Sequence, residues 1–168
     1  ETQEGGGAVS EVFQTGSRID PGDLDSWHAE WLITAERAHQ RGDDEFAAGH
    51  LQTAHNCWLR ATNYYPSAEF WLEGTDPRRL ATFDRLEEAS QKFMQQLTPP
   101  AEIVRIPYED GAHLDAYFLR SPVGGAPPPV LIAMGRLDSF QAEPWFTVAH
   151  GACPRASAVR APAGPGPG

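Results

Sequence analysis

Pro129-Val130-Leu131-Ile132-Ala133-Met134-Gly135-Arg136-Leu137-Asp138-Ser139 sets five consecutive apolar residues, Val130 to Met134, between a proline-rich spacer (Ala126–Pro129) and a glycine. A short unbroken apolar run bounded by Pro and Gly predicts a strand buried on both faces, as in the middle of a parallel sheet. The stretch beyond it is polar, holds Gly135, and leads into a helical pattern near Gln141. In open α/β sheets ligands sit beyond the carboxyl ends of the strands. Gly135–Ser139 is therefore a candidate site loop, although the same residues would also serve as a plain strand-to-helix connection.

On the N-terminal side of this run, Glu102–Pro107 alternates loosely, Tyr108-Glu109-Asp110-Gly111 carries an Asp-Gly turn signal, and Leu114–Arg120 reads as a second strand. An antiparallel hairpin is expected there, then a crossing at 121–129 to the apolar run, then a helix over about 142–152. Before Thr98-Pro99-Pro100 the pattern is helical. Trp27, Trp31, Ala35 and Ala38 share a face of a helix over about 26–40, with Asp25 or Ser26 as N-cap and Arg41-Gly42-Asp43-Asp44 as its frayed end. Leu51, Ala54, Trp58, Ala61 and Tyr65 mark a second helix from about Glu45. Pro66 falls inside it, and an interior proline costs about 3 kcal/mol, so a kink or break is expected at Tyr65, with helix resuming over Ala68–Leu72. Asp76 and Pro77 open a third helix that runs to about Leu97.

The fold class expected is α/β: an N-terminal helical segment, a hairpin, a buried third strand and a first helix, together an incomplete sheet. Residues 1–24 are expected to be flexible, 25–98 helical and 99–153 the start of the α/β core. Residues 154–168, almost all Ala, Pro, Gly, Arg and Ser, are expected to be a disordered tail in which Ala158-Val159 is the one hint of a strand.

At 168 residues, 40% hydrophobic and 21% charged, the composition is that of a globular protein. A formal net charge of −10 argues against a nucleic-acid partner. No apolar run approaches membrane-spanning length and no signal peptide is recognisable, so no membrane partner and a cytoplasmic location are expected. Cys57 and Cys153 are too few for a disulfide framework. No Gly-x-Ser-x-Gly and no P-loop occurs. Ser139 reads better as a helix N-cap than as a nucleophile. His150 and Cys153 pair by chance spacing, and the six histidines form no ligand pattern, so neither a metal nor another cofactor is expected.

Three pieces carry a resemblance. Arg60–Tyr65 with Ala68-Glu69-Phe70, then Ile106–Glu109 with Leu114–Phe118, then Gly135-Arg136-Leu137-Asp138-Ser139, in that order, resemble the N-terminal half of one family. It is the group of α/β-hydrolases that includes dihydropseudooxynicotine hydrolase and the fungal polyketide-shortening hydrolases, and the third piece is similar to its Gly-Gly-(Leu/Tyr)-Asp-Ser loop. The resemblance implies a serine hydrolase that cleaves an ester, an amide or an activated C–C bond beside a ketone. It implies that Arg136 or Leu137 gives a backbone N–H to an oxyanion, that Gly135 allows the turn, and that Asp138 orients the loop or faces a small-molecule substrate. Arg136 departs from the family's second glycine. Residues 158–168 only echo the family's next strand and its Asp-Gly-Pro-Gly-Gln-Gly loop, and its serine elbow, acid and histidine have no counterparts here. The helical segment would cover the site or pair two copies in a homodimer. A different reading takes Gly49, Ala54, Trp58 and Ala61 as a tetratricopeptide-like binding module, and a third takes the tail as the product of a frame change near Cys153.

Overall fold

The computed structural model describes residues 5–123, 128–134, 140, 142–155 and 157–162. The chain forms two compact units, Glu1–Phe93 and Met94–Gly168.

The first unit is helical. Helix α1 (Val9–Arg18) lies within the stretch expected to be flexible. Polar contacts, which leave no apolar periodicity to read, hold its inner side. Thr15 and Thr34 share a buried 2.7 Å hydrogen bond, and Arg18 meets Glu30 at 2.5 Å. Helix α2 (Leu24–Ala47) is capped by Asp23, not by Asp25 or Ser26. The Asp23 carboxylate accepts from the backbone N–H groups of both those residues.

The expected fraying at Arg41–Asp44 does not occur, and α2 runs through it. The reason is Gly42, against which the Trp58 indole packs so closely that a Cβ would lie 2.5 Å from the ring. The helix ends instead at Gly49, whose φ of +83° suits glycine. His50 N–H donates to the Glu45 carbonyl and Gly49 N–H to that of Phe46, the paired bonds that close a helix end.

Helix α3 (Leu51–Glu69) passes through Pro66 without the expected break. Tyr64, Tyr65 and Ala68 on either side are fully buried. Packing of that extent outweighs the roughly 3 kcal/mol an interior proline costs. Helix α4 (Pro77–Gln95) opens as its sequence predicts, with the Asp76 carboxylate accepting from Arg78 N–H. It buries Leu86, Ala89 and Phe93.

The second unit is a four-stranded mixed sheet in the order β1 (Glu102–Pro107), β2 (His113–Leu119), β4 (Ala158–Pro162), β3 (Val130–Ile132). The expected hairpin forms, antiparallel, with Glu102 opposite Phe118 and Pro107 opposite His113. Its turn uses left-handed backbone at Asp110 (φ 54°) and Gly111 (φ 79°). After β3 come a π-helical turn (Trp145–Ala149), a short α-helix α5 (His150–Ala152) and a 3-10 turn (Cys153–Arg155).

The burial expected of Val130–Met134 is found elsewhere. Among the described residues β3 pairs only with β4, in parallel, and all three of its residues are exposed. The buried strand is β4, in the stretch expected to be a disordered tail. It has partners on both edges, and Ala158, Val159 and Ala161 are at most 2% exposed. Two-sided pairing, which sequence composition does not report, decides which strand is internal. Among the described residues no helix is long and apolar enough to cross a membrane.

Two outcomes are expected. Gly42→Ala should lower stability to urea by about 1–2 kcal/mol, because the clash with Trp58 exceeds the gain of about 1 kcal/mol in helix propensity. A stabilised variant would mean that the indole yields. Ile132 is 71% exposed on an apolar edge, and such edges invite pairing between chains. Ile132→Lys should lower the mass measured by light scattering with unchanged circular dichroism, and an unchanged mass would exclude this edge as a route to association.

Candidate functional site

Gly135, Arg136, Leu137, Asp138 and Ser139 lie outside the described residues. The structure fixes what flanks them. Ala133 N–H donates to the Arg160 carbonyl at 2.8 Å, which extends the parallel β3–β4 ladder to the end of the apolar run. β3 and β4 thus end side by side, and ligands of α/β sheets bind beyond the carboxyl ends of parallel strands. Phe140 N–H on its far side donates to Glu143 Oε1 at 3.2 Å, at the entry to the helical turns.

His150 and Cys153 lie at the opposite end of the strands. The carboxyl end of antiparallel β2 is beside the start of β4, where Leu119 pairs with Val159. A cavity of about 110 Å³ there is lined by Pro99, Leu119, Trp145, His150 and Cys153. Burial pushes the Cys153 thiol up, away from the thiolate form. Its Sγ is 4.0 Å from the Leu119 carbonyl. A thiol so placed is a packing group and a poor nucleophile.

The helical unit holds a polar chain that sequence reading missed. His39 is fully buried on α2, yet its ring is in contact at both nitrogens. Nε2 lies 3.1 Å from Lys92 Nζ, and Nδ1 lies 3.0 Å from the Tyr65 hydroxyl. Lys92 also reaches both Asp43 oxygens, at 2.8 and 2.9 Å, and Glu88 Oε1 at 2.8 Å. His39, Asp43 and Glu88 offer three ligand atoms within 4.8 Å of one another. The cation they hold is the protein's own ammonium.

Donor counting orders the chain. An ammonium has only donors, so Nε2 must accept and His39 is neutral, with its proton on Nδ1. That proton goes to the Tyr65 oxygen. Glu36 and Arg85 also act on the Tyr65 hydroxyl, and Arg85 grips Glu36 through two bonds of 3.0 and 2.8 Å. The electrostatics agree. Burial first, and then the Lys92 and Arg85 charges, lower the His39 pKa. Burial raises that of Tyr65, and the Arg85 bond lowers that of Glu36. The readable signal was the four-residue spacing of His39 and Asp43 along one helix; Glu88 and Lys92 come from a distant segment.

No family model matches the chain. A 20-hydroxy-prefusarin hydrolase of Gibberella moniliformis is 36% identical over 170 residues, covering 97% of this chain and 40% of that protein. An alpha/beta hydrolase of Penicillium citrinum is 30% identical over 168 residues, 98% of this chain and 39% of its own length. The crystal structure of a 2,6-dihydroxy-pseudo-oxynicotine hydrolase superposes with a TM-score of 0.80 at 26% identity, over 97% of this chain and 44% of that one. This chain spans about two-fifths of the length of the curated relatives it matches. It is related to α/β-hydrolases throughout, and its helices followed by a small mixed sheet are consistent with an N-terminal portion of one.

Tyr65→Phe should cost about 1–3 kcal/mol in urea unfolding, since it leaves the buried His39 Nδ1 without its partner. A loss well below that would mean that water replaces the hydroxyl.

Proposed function

We propose that this chain is the front portion of a serine hydrolase, acting on a small molecule in which an ester, an amide or an activated C–C bond lies beside a carbonyl. The observation that carries this reading is the likeness itself, which runs over 97% of the chain to a named hydrolase and keeps the fold of a solved one. The loop position adds to it, because Gly135–Asp138 comes after the carboxyl end of β3.

In this reading Gly135 permits the turn, and the backbone N–H of Arg136 or Leu137 donates to the oxygen that becomes negative as the carbonyl is attacked. A preorganised donor there binds the oxyanion more strongly than the neutral carbonyl, which lowers the barrier. Asp138 holds the loop or meets the substrate. The nucleophile, its histidine and the acid would come from polypeptide outside these 168 residues, since no Gly-x-Ser-x-Gly occurs among them. Two copies would associate through the helical unit.

The chain alone should take no label from a fluorophosphonate probe, and labelling of any of its serines would overturn the assignment. Joined in frame to the remaining part of the 20-hydroxy-prefusarin hydrolase, it should hydrolyse an activated aryl ester. In that chimera, proline at 136 or at 137 removes one backbone N–H. The residue that serves the oxyanion should show kcat down about 100-fold with KM little changed, while alanine at the same position retains activity. Full activity in both proline variants would remove the loop from the mechanism.

A further inference from the structure

Lys92 is the one lysine of the sequence; every other basic side chain, histidine apart, is arginine. It sits where arginine would not serve. A compact ammonium reaches His39, Asp43 and Glu88 together, while a planar guanidinium presents its donors in a fixed fork. The groups facing the His39 ring come from all three helices packed on it. Glu36 and Asp43 belong to α2, Tyr65 to α3, and Arg85, Glu88 and Lys92 to α4.

The Nε2–Nζ contact accommodates only one cation. With His39 neutral, Nε2 accepts from Lys92 across 3.1 Å. With a proton on Nε2, two cationic donors would face each other at that distance and the bond would be lost. Asp43 and Glu88 already stand 4.0 and 3.8 Å from Nε2, close enough to take an imidazolium as their partner. The Lys92 side chain is 29% exposed, so it has a route to solvent that the fully buried His39 ring lacks.

We propose that His39 and Lys92 form a proton-operated latch between α2 and α4: protonation of His39 releases Lys92 to solvent, and the imidazolium takes over Asp43 and Glu88. One proton enters from water at Nε2 and no covalent bond between heavy atoms changes. The ammonium keeps its own proton, because Asp43 and Glu88 raise the Lys92 pKa against the opposing effect of burial. The sign of the histidine shift sets the direction. The folded His39 pKa lies below its usual 6.5, so the latch is closed above about 6.5. Closure is lost as the pH falls from there through the folded value.

A single lysine makes the test direct. In the full chain carrying 13C-lysine and 15N-histidine, the one Lys92 Cε resonance and the His39 ring nitrogens are tracked from pH 8 to about pH 5. The expected result is that the Lys92 resonance moves to its solvent-exposed position with the same midpoint as His39 protonation, below 6.5, while the backbone amide spectrum of the helical unit is kept. Independence of Lys92 from the His39 titration would overturn the latch. So would a His39 that stays neutral at pH 5, or loss of the amide spectrum in the same step, which would mean global unfolding. His39→Gln should abolish the Lys92 transition. If that variant does not fold, the comparison of the two midpoints in the unaltered chain still decides.

Discussion

Tyr64 and Tyr65 are neighbours on α3, about 100° apart around the helix axis, and both are fully buried. Each takes a hydroxyl into the interior, where a polar group without a partner costs about 1–3 kcal/mol. Tyr64 is answered by the first helix: its hydroxyl accepts from Ala8 N–H at 2.8 Å and donates to Glu11 at 2.7 Å. Tyr65 is answered by α2 through His39, and through His39 by Lys92 of α4. Two adjacent hydroxyls thus fix the places of three other helices. Between them Ala35, Ala38, Ala54, Ala61 and Ala68 provide burial, and the Trp58 indole seated on Gly42 locks α2 against α3. Polar satisfaction adds to the register that this packing sets.

The sheet poses the complementary problem. β3 is apolar in all three residues and exposed in all three, while Ala158, Val159 and Ala161 of β4 are enclosed. A strand with the composition of β3 is suited to the inside of a sheet, in keeping with relatives more than twice as long as this chain. The parallel pair also gives the unit its polarity. β3 and β4 end together at one end of the strands, whereas His150 and Cys153 line a small cavity at the other.

How much of this could be read from residues alone depended on whether the signal was local. The Asp76-Pro77 start of α4 and the Asp-Gly turn of the hairpin are properties of adjacent residues, and both form as read. Gly42 was read as a breaker because its contact with Trp58 joins positions 16 residues apart in the chain. Pro66 was read as a break because the burial of Tyr64, Tyr65 and Ala68 is tertiary. α1 was missed because its inner side is polar. Alanine-rich β4 became a central strand by pairing on both edges, which no local pattern encodes. The candidate oxyanion loop rests on resemblance to a family, and its residues lie outside the described ones. The His39–Lys92 chain was not, since its members are brought together only by the crossing of three helices.

The sparing use of lysine reaches beyond electrostatics. A protease that cuts only after lysine has a single target here, the bond between Lys92 and Phe93. That bond lies inside α4, one residue from the boundary between the two compact units. It must unwind to enter a protease cleft, so cleavage would time the opening of this helix. The two products would be close to the helical unit and the sheet unit themselves, which makes the chain divisible at its natural seam by one enzyme and one cut.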